Sequence, residues 1–149
     1  MRREDTVDHG IKATWHAIAR MYNQQAARHD LTMSMGFVLL NIHSEGTPAT
    51  KIAPLMGLEA RSLSRLLKTM EEKGLIYREA DPDDRRKVRI ALTKKGRTKK
   101  EKSRETVLRF NEAIRSRIDG KKLNTFFEVL REIQGTIENN NIYQRSTSG

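Results

Sequence analysis

Apolar residues recur through most of the chain at helical spacing and alternate only briefly. Ile11, Trp15, Ile18, Ala19 and Tyr22 are three and four residues apart, which places them on one face and predicts an amphipathic first helix. Met35, Val38, Leu39 and Ile42 repeat that pattern behind Thr32, whose hydroxyl is an N-cap candidate, until "SEGTP" interrupts it. Thr47 before Pro48 predicts a restart, because a hydroxyl caps an orphan N–H and proline loses no hydrogen bond at the first helical position. The third helix is short, with Ile52, Ala53 and Leu55 inward, and Gly57 ends it. A fourth is predicted over 60–73, with Leu63, Leu66, Leu67 and Met70 inward and Gly74 closing it.

The period then changes from helical to two. "LIYREA" and "VRIAL" read as strands joined by a turn at "DPDD", with Val88, Ile90 and Leu92 on one face of a two-stranded hairpin. Thr93 is a cap for a long polar helix that becomes amphipathic at Val107, Phe110, Ile114 and Ile118 and ends near Gly120. The last helix carries Leu123, Phe126, Phe127, Leu130, Ile133 and Ile137, and a polar segment over 141–149 reads as a loose tail. This order predicts a mainly α chain with a small β-hairpin wing: a winged helix-turn-helix over 32–97, with N- and C-terminal dimerisation helices over 1–31 and 98–140. At 149 residues the whole reads as a single unit.

Charge sharpens the picture because it is localised. Of a formal net charge of +10, residues 59–109 supply +8, from 17 Lys or Arg against 9 Asp or Glu. Such an excess is the electrostatic footprint expected for a polyanion partner, but a solvated surface accounts for charge alone equally well, and it is the arrangement of the cations that points to double-stranded DNA. Arg61, Ser62, Ser64, Arg65 and Lys68 fall on or near the polar face of the fourth helix, and they are the residue types that reach base edges and phosphates from a helix in the major groove. Arg65 is the foremost candidate for a base contact. Arg85, Arg86 and Lys87 stand at the hairpin tip, where a guanidinium can enter a narrow, strongly negative minor groove, and Asp84 is placed to hold one of them through paired hydrogen bonds.

Other chemistries find little support. The absence of cysteine rules out disulfides and thiolate metal sites, and His9, His16, His29 and His43 are not spaced as metal ligands. "DPDD" fails the calcium-loop pattern, since Arg85 takes the fifth position and no glycine follows at the sixth. No nucleophile elbow or phosphate-cradling glycine loop occurs, so no enzyme, metal or cofactor is expected. No run of eighteen apolar residues exists and "MRREDTVDHG" lacks the apolar stretch of a secretory signal, which leads to the expectation of a cytoplasmic chain without a membrane partner.

"GLIYREADPDDRRKVRIALTKKG" resembles the signature of the multiple-antibiotic-resistance regulator (MarR) family: a glycine and hydrophobic residue leading to an arginine in a strand, an aspartate-x-arginine wing, and a leucine-threonine-x-x-glycine close. The matching positions are Gly74, Leu75, Arg78, Asp84, Arg86, Leu92, Thr93 and Gly96, and "SLSRLLKTMEEKG" is similar to the family's recognition helix. The resemblance implies a homodimeric winged-helix DNA-binding regulator, usually a repressor relieved by a small molecule, with Arg86 entering the minor groove and Asp84 as its partner. Two positions depart from it: Glu59 stands where the family has a short polar cap, and "DGKKLN" lacks the acidic pair common before the last helix. Without cysteine, thiol oxidation as in the peroxide-sensing members is not available as a signal.

Two further expectations follow. The apolar stripe of the last helix, together with the first helix, calls for a second copy of the chain, since each such side chain contributes about 1.5 to 3 kcal/mol when buried. A homodimer would present two helices to successive major grooves of a pseudo-palindromic site. Trp15, Met33, Met35 and Phe37 are candidates for the lining of a small-molecule effector pocket. The rival reading is a basic helical protein that binds RNA or another protein, against which stands the lack of an aromatic stacking platform among only eight aromatic residues.

Overall fold

The computed structural model describes residues 1–139 and 142–144; of the predicted tail, Asn141 and residues 145–149 lie outside the described residues. After a single 3₁₀ turn at Arg3–Asp5, the elements are α1 (Val7–Ala27), α2 (Met33–Leu40), β1 (Thr47–Pro48), α3 (Ala49–Met56), α4 (Ala60–Glu72), β2 (Ile76–Ala80), β3 (Val88–Leu92), α5 (Lys94–Arg117) and α6 (Gly120–Glu138). The chain divides into two compact units between Val107 and Leu108, so that α5 crosses the boundary.

In the first unit α2, α3, α4 and the sheet enclose one core. Val38, Leu39, Ile42, Ile52, Met70 and Ile90 are fully buried there, with Leu31, Met35, Leu63, Leu67, Leu75, Ile76 and Leu92 around them. Thr32 caps α2 as its sequence predicts, its hydroxyl accepting from the Met35 N–H at 3.2 Å. Gly57 and Gly74 end α3 and α4 in the left-handed region, at φ 62° and 73°, where a Cβ would be strained. Thr93 accepts from the Gly96 N–H at 2.9 Å and so caps α5. At Gly96 the helix passes so close to β2 that an added Cβ would collide with the Leu75 carbonyl oxygen.

Four expectations are corrected. The wing is a three-stranded antiparallel sheet of order β1-β3-β2, in which Thr47 pairs with Ile90 and Pro48 with Arg89. A two-residue edge strand has no alternation to read, and proline, lacking an N–H, is compatible only with such an edge. Thr47 therefore does not cap α3: it is buried and its hydroxyl accepts from the His43 N–H at 2.9 Å, while Pro48 occupies the N-cap position. Leu55 is exposed, and Met56 packs against the core in its place. Finally, α5 stops at Arg117, and Gly120 opens α6 behind Asp119 at its N-cap rather than ending α5.

The second unit holds the distal part of α5 and α6. Leu123 is buried, Phe127, Leu130 and Ile133 are half-buried, and Phe126 and Ile137 remain exposed. The Arg115 guanidinium lies 6.0 Å from the centre of the Phe127 ring, within cation–π range.

Candidate nucleic-acid interface

The interface begins with the two faces of α4. Leu63, Leu67 and Met70 anchor it in the core, which leaves Arg61, Ser62, Ser64, Arg65 and Lys68 exposed. Arg61, Ser64, Arg65 and Lys68 follow helical spacing along one face, with Ser62 on its flank. Like charges four apart, as in Arg61 and Arg65, cost a helix about 0.2–0.5 kcal/mol, so this face is not arranged for the stability of α4 itself. Glu59 at the N-cap makes no side-chain capping bond, yet α4 starts at Ala60, and the Glu59 carbonyl accepts from the Leu63 N–H at 3.0 Å. Arg78 on β2 meets Glu71 near the end of α4 at 3.2 Å, a bridge exposed enough that its contribution is about 0–1 kcal/mol.

The wing tip is built by two carboxylates that serve the backbone. The Asp81 N–H donates to the Lys87 carbonyl at 2.9 Å, and its buried carboxylate accepts from the Asp83 N–H at 2.8 Å. Asp84 accepts from the Arg86 backbone N–H at 3.0 Å, a turn in which an aspartate oxygen bonds the main chain two residues on. Among the described residues this main-chain bond is the contact the Asp84 carboxylate makes, and no ion pair joins it to a wing guanidinium. Arg85, Arg86 and Lys87 project as exposed cations, with no ion pair among the described residues.

The basic excess of residues 59–109 divides into two populations. Lys73 pairs with Asp30, Arg78 with Glu71, Lys102 with Glu105 and Arg104 with Glu101. Arg89 donates to the Gly46 carbonyl at 3.1 Å, its Nε buried without a partner, and Arg97 donates to the Leu92 carbonyl at 3.3 Å. Lys95, Lys99 and Lys100 bond main-chain carbonyls of Lys73, His29 and Ile42. Among the described residues the basic side chains of this stretch left without an internal partner are Arg61, Arg65, Lys68, Arg85, Arg86, Lys87, Lys94 and Arg109. Six of these eight are the α4 and wing cations picked out by sequence position. Lys94, at the base of the wing, is the candidate that sequence reasoning passed over, and only the bonding of its neighbours distinguishes it.

A separate small pocket lies in the first unit, lined by Tyr22, His29, Leu31, Met33, Phe37 and Val107 among others. Tyr22 meets Phe37 edge to face at 5.9 Å, and burial holds its phenol pKa above the ordinary value. Met33 and Phe37 line this pocket, whereas Met35 and Trp15 do not. Two residues further along a helix turns the side chain away, so Met35 faces the core, while Trp15 is exposed on α1. Among the described residues no cluster of His, Asp or Glu is arranged to hold a metal, and no helix is long and apolar enough to cross a membrane.

Comparison with known proteins agrees with this architecture. The family model described as "MarR family" matches residues 31–88. The HTH-type transcriptional regulator TtmR of Methylorubrum extorquens (strain PA1) is 38% identical over 88 residues, 58% of this chain and 45% of that regulator, so the chain spans less than half the length of this relative. The HTH-type transcriptional regulator YhbI of Bacillus subtilis (strain 168) is 28% identical over 109 residues, 72% of this chain and 68% of that one. Among solved structures, CouR from Rhodococcus jostii RHA1 bound to p-coumaroyl-CoA superposes with a TM-score of 0.80 at 24% identity, covering 89% of this chain and 94% of CouR. The S. aureus MepR–DNA complex gives a TM-score of 0.80 at 21% identity, covering 89% and 98%. At these identities the two structures establish the shared fold.

Proposed function

We propose, starting from the match of residues 31–88 to the MarR family model, that the chain is a MarR-family, sequence-specific double-stranded DNA-binding transcriptional regulator acting as a homodimer. The observation that carries this reading is the division of the basic residues. Most cations of residues 59–109 are bonded within the fold, and those left unpaired are concentrated on one face of α4 and at the wing tip. A helix in the major groove and a cationic hairpin beside it are complementary to duplex DNA, with Arg65 reading base edges and Arg85, Arg86 and Lys87 reaching the minor groove and its phosphates.

Apolar surface at the chain ends supports the homodimer. Val7, Ile11 and Trp15 on α1 and Phe126, Val129 and Ile137 on α6 are exposed, more apolar surface than a lone soluble chain ordinarily leaves in water. Two copies would span a pseudo-palindromic operator from the cytoplasm, where binding over a promoter represses transcription. The pocket beside Met33 and Phe37 supports release by a small-molecule effector, and CouR, which shares the fold, is solved bound to a small molecule, p-coumaroyl-CoA. The effector would act by favouring a dimer whose two α4 helices no longer match the groove spacing.

The test is a duplex-shift assay with genomic fragments and random competitor. A site-specific complex that weakens steeply with salt supports the reading, with Arg65→Ala relaxing base preference by about 1–3 kcal/mol at one position and Arg86→Ala weakening all sequences alike. Equal binding to single-stranded RNA would favour the rival class, and unchanged affinity in both variants would reject the site.

A further inference from the structure

The opening turns of α5 pose a physical problem. "KKGRTKK", residues 94–100, puts five cations at the positive end of a helix dipole, where basic side chains are unfavourable and carboxylates are preferred. If these cations all faced a phosphate backbone, nothing further would need explaining. Four of them do something else.

Lys95 Nζ lies 2.9 Å from the carbonyl oxygen of Lys73, the C-cap residue of α4. Lys99 Nζ lies 2.7 Å from that of His29, in the turn just beyond α1, and Lys100 Nζ lies 2.6 Å from that of Ile42, just beyond α2. Arg97 donates to Leu92, the last residue of β3. The chain just past the C-terminal ends of three helices, each with a negative dipole end, therefore converges on one short cationic segment. An ammonium donating to a terminal carbonyl satisfies both, which accounts for lysines at a helix start that would otherwise disfavour them. Lys99 and Lys100 are half-buried and reach residues 70 and 58 positions away, so these bonds are tertiary clasps rather than local capping.

We propose that Lys95, Lys99 and Lys100 are positioning residues that fix the C-terminal ends of α4, α1 and α2 against the start of α5, and that they set the pose of α4 on DNA without touching DNA themselves. The proposal rests on the DNA-binding reading for its consequence, and on the fold alone for the clasps. Because His29 also lines the pocket, Lys99 ties the pocket wall to the same helix that Lys95 ties to α4.

Two measurements on the full-length protein test it, both at a temperature where circular dichroism shows every variant folded. The first is duplex affinity between 50 and 200 mM salt for Lys95→Gln, Lys99→Gln and Lys100→Gln, with Lys68→Gln as the comparator. A phosphate contact contributes about 0.9 to the slope of log K against log salt, so Lys68→Gln should flatten it by about that amount. Each clasp variant should lose about three- to tenfold in affinity at every salt concentration with the slope unchanged, and the matching Lys→Arg variants should recover part of the loss. A slope reduced by about 0.9, or affinity equal to that of the unaltered protein, would overturn the assignment for that lysine.

The second measurement is amide hydrogen exchange without DNA. Lys95→Gln should speed exchange about tenfold at Leu75, Lys99→Gln at Leu31 and Lys100→Gln at Ile42, each amide bonded across the end of its own helix and each affected only by its own clasp. Uniform or absent acceleration would refute the clasps whatever happens with DNA. Failure of the unaltered protein to bind any duplex would instead refute the functional reading and leave the clasps to be judged by exchange.

Discussion

The core around α2, α3, α4 and the sheet closes on itself, whereas the distal part of α5 and α6 does not. In the first region six large side chains, Leu39 and Met70 among them, have no exposed surface; in the second, Phe126 is 50% and Ile137 61% exposed. Both regions are amphipathic in sequence, so amphipathicity alone does not distinguish a self-sufficient core from half of an interface. What differs is the supply of partners: α2 meets α3 and α3 meets the sheet, while the apolar face of α6 has more surface than its own unit covers. The first region thereby reads as the part that presents charge, and the second as the part whose apolar face the proposed dimer would cover.

That contrast can be broken most forcefully in the core. Leu39→Ala should lower unfolding free energy by about 2–5 kcal/mol in denaturant titration, through lost burial and the cavity left behind. Phe126→Asp should leave the cooperative unfolding of the core in place while weakening the proposed dimer by about thirtyfold or more in light scattering against concentration. A stable, folded monomer of the unaltered chain at micromolar concentration would erase the distinction. Two glycines sharpen it further. Gly96→Ala should cost about 1–3 kcal/mol because its methyl meets the Leu75 carbonyl, while Gly135→Ala in α6, with open space around its Cβ position, should add about 0.5–1 kcal/mol from helix propensity.

The smallest expected effect is a pH dependence in the first unit. Burial raises the Tyr22 pKa above 10.0, so the folded state holds the phenol's proton more tightly than the unfolded chain does. That contribution to stability is complete below the unfolded pKa and is lost as pH rises through the folded one. Tyr22→Phe keeps the ring against Phe37 and should abolish this alkaline loss, seen as a flatter melting temperature above pH 10.

Much of the architecture was legible because the signals are local. The Thr32 and Thr93 caps, the left-handed glycines at 57 and 74, and the inward positions of α4 each depend on a few neighbouring residues. Thr47 misled because the same hydroxyl that can cap a helix can equally accept from the preceding loop, and a strand of two residues offers no period. Leu55 misled because a helix of eight residues has too few turns to fix its buried face. The cations were the least legible. Nothing local separates Lys95 from Lys94, and only the tertiary approach of Lys73 tells a clasp from a free charge.

The central claim is that the α4 and wing cations are left unpaired by the fold so that a duplex can neutralise them. Its most direct test is the salt dependence of duplex binding for the unaltered protein and for a variant carrying Arg85→Gln, Arg86→Gln and Lys87→Gln. The slope of log K against log salt should flatten by about 0.9 for each wing cation in contact with phosphate, while thermal stability stays the same. A variant that binds duplex DNA with the same slope and the same affinity as the unaltered protein would contradict the claim.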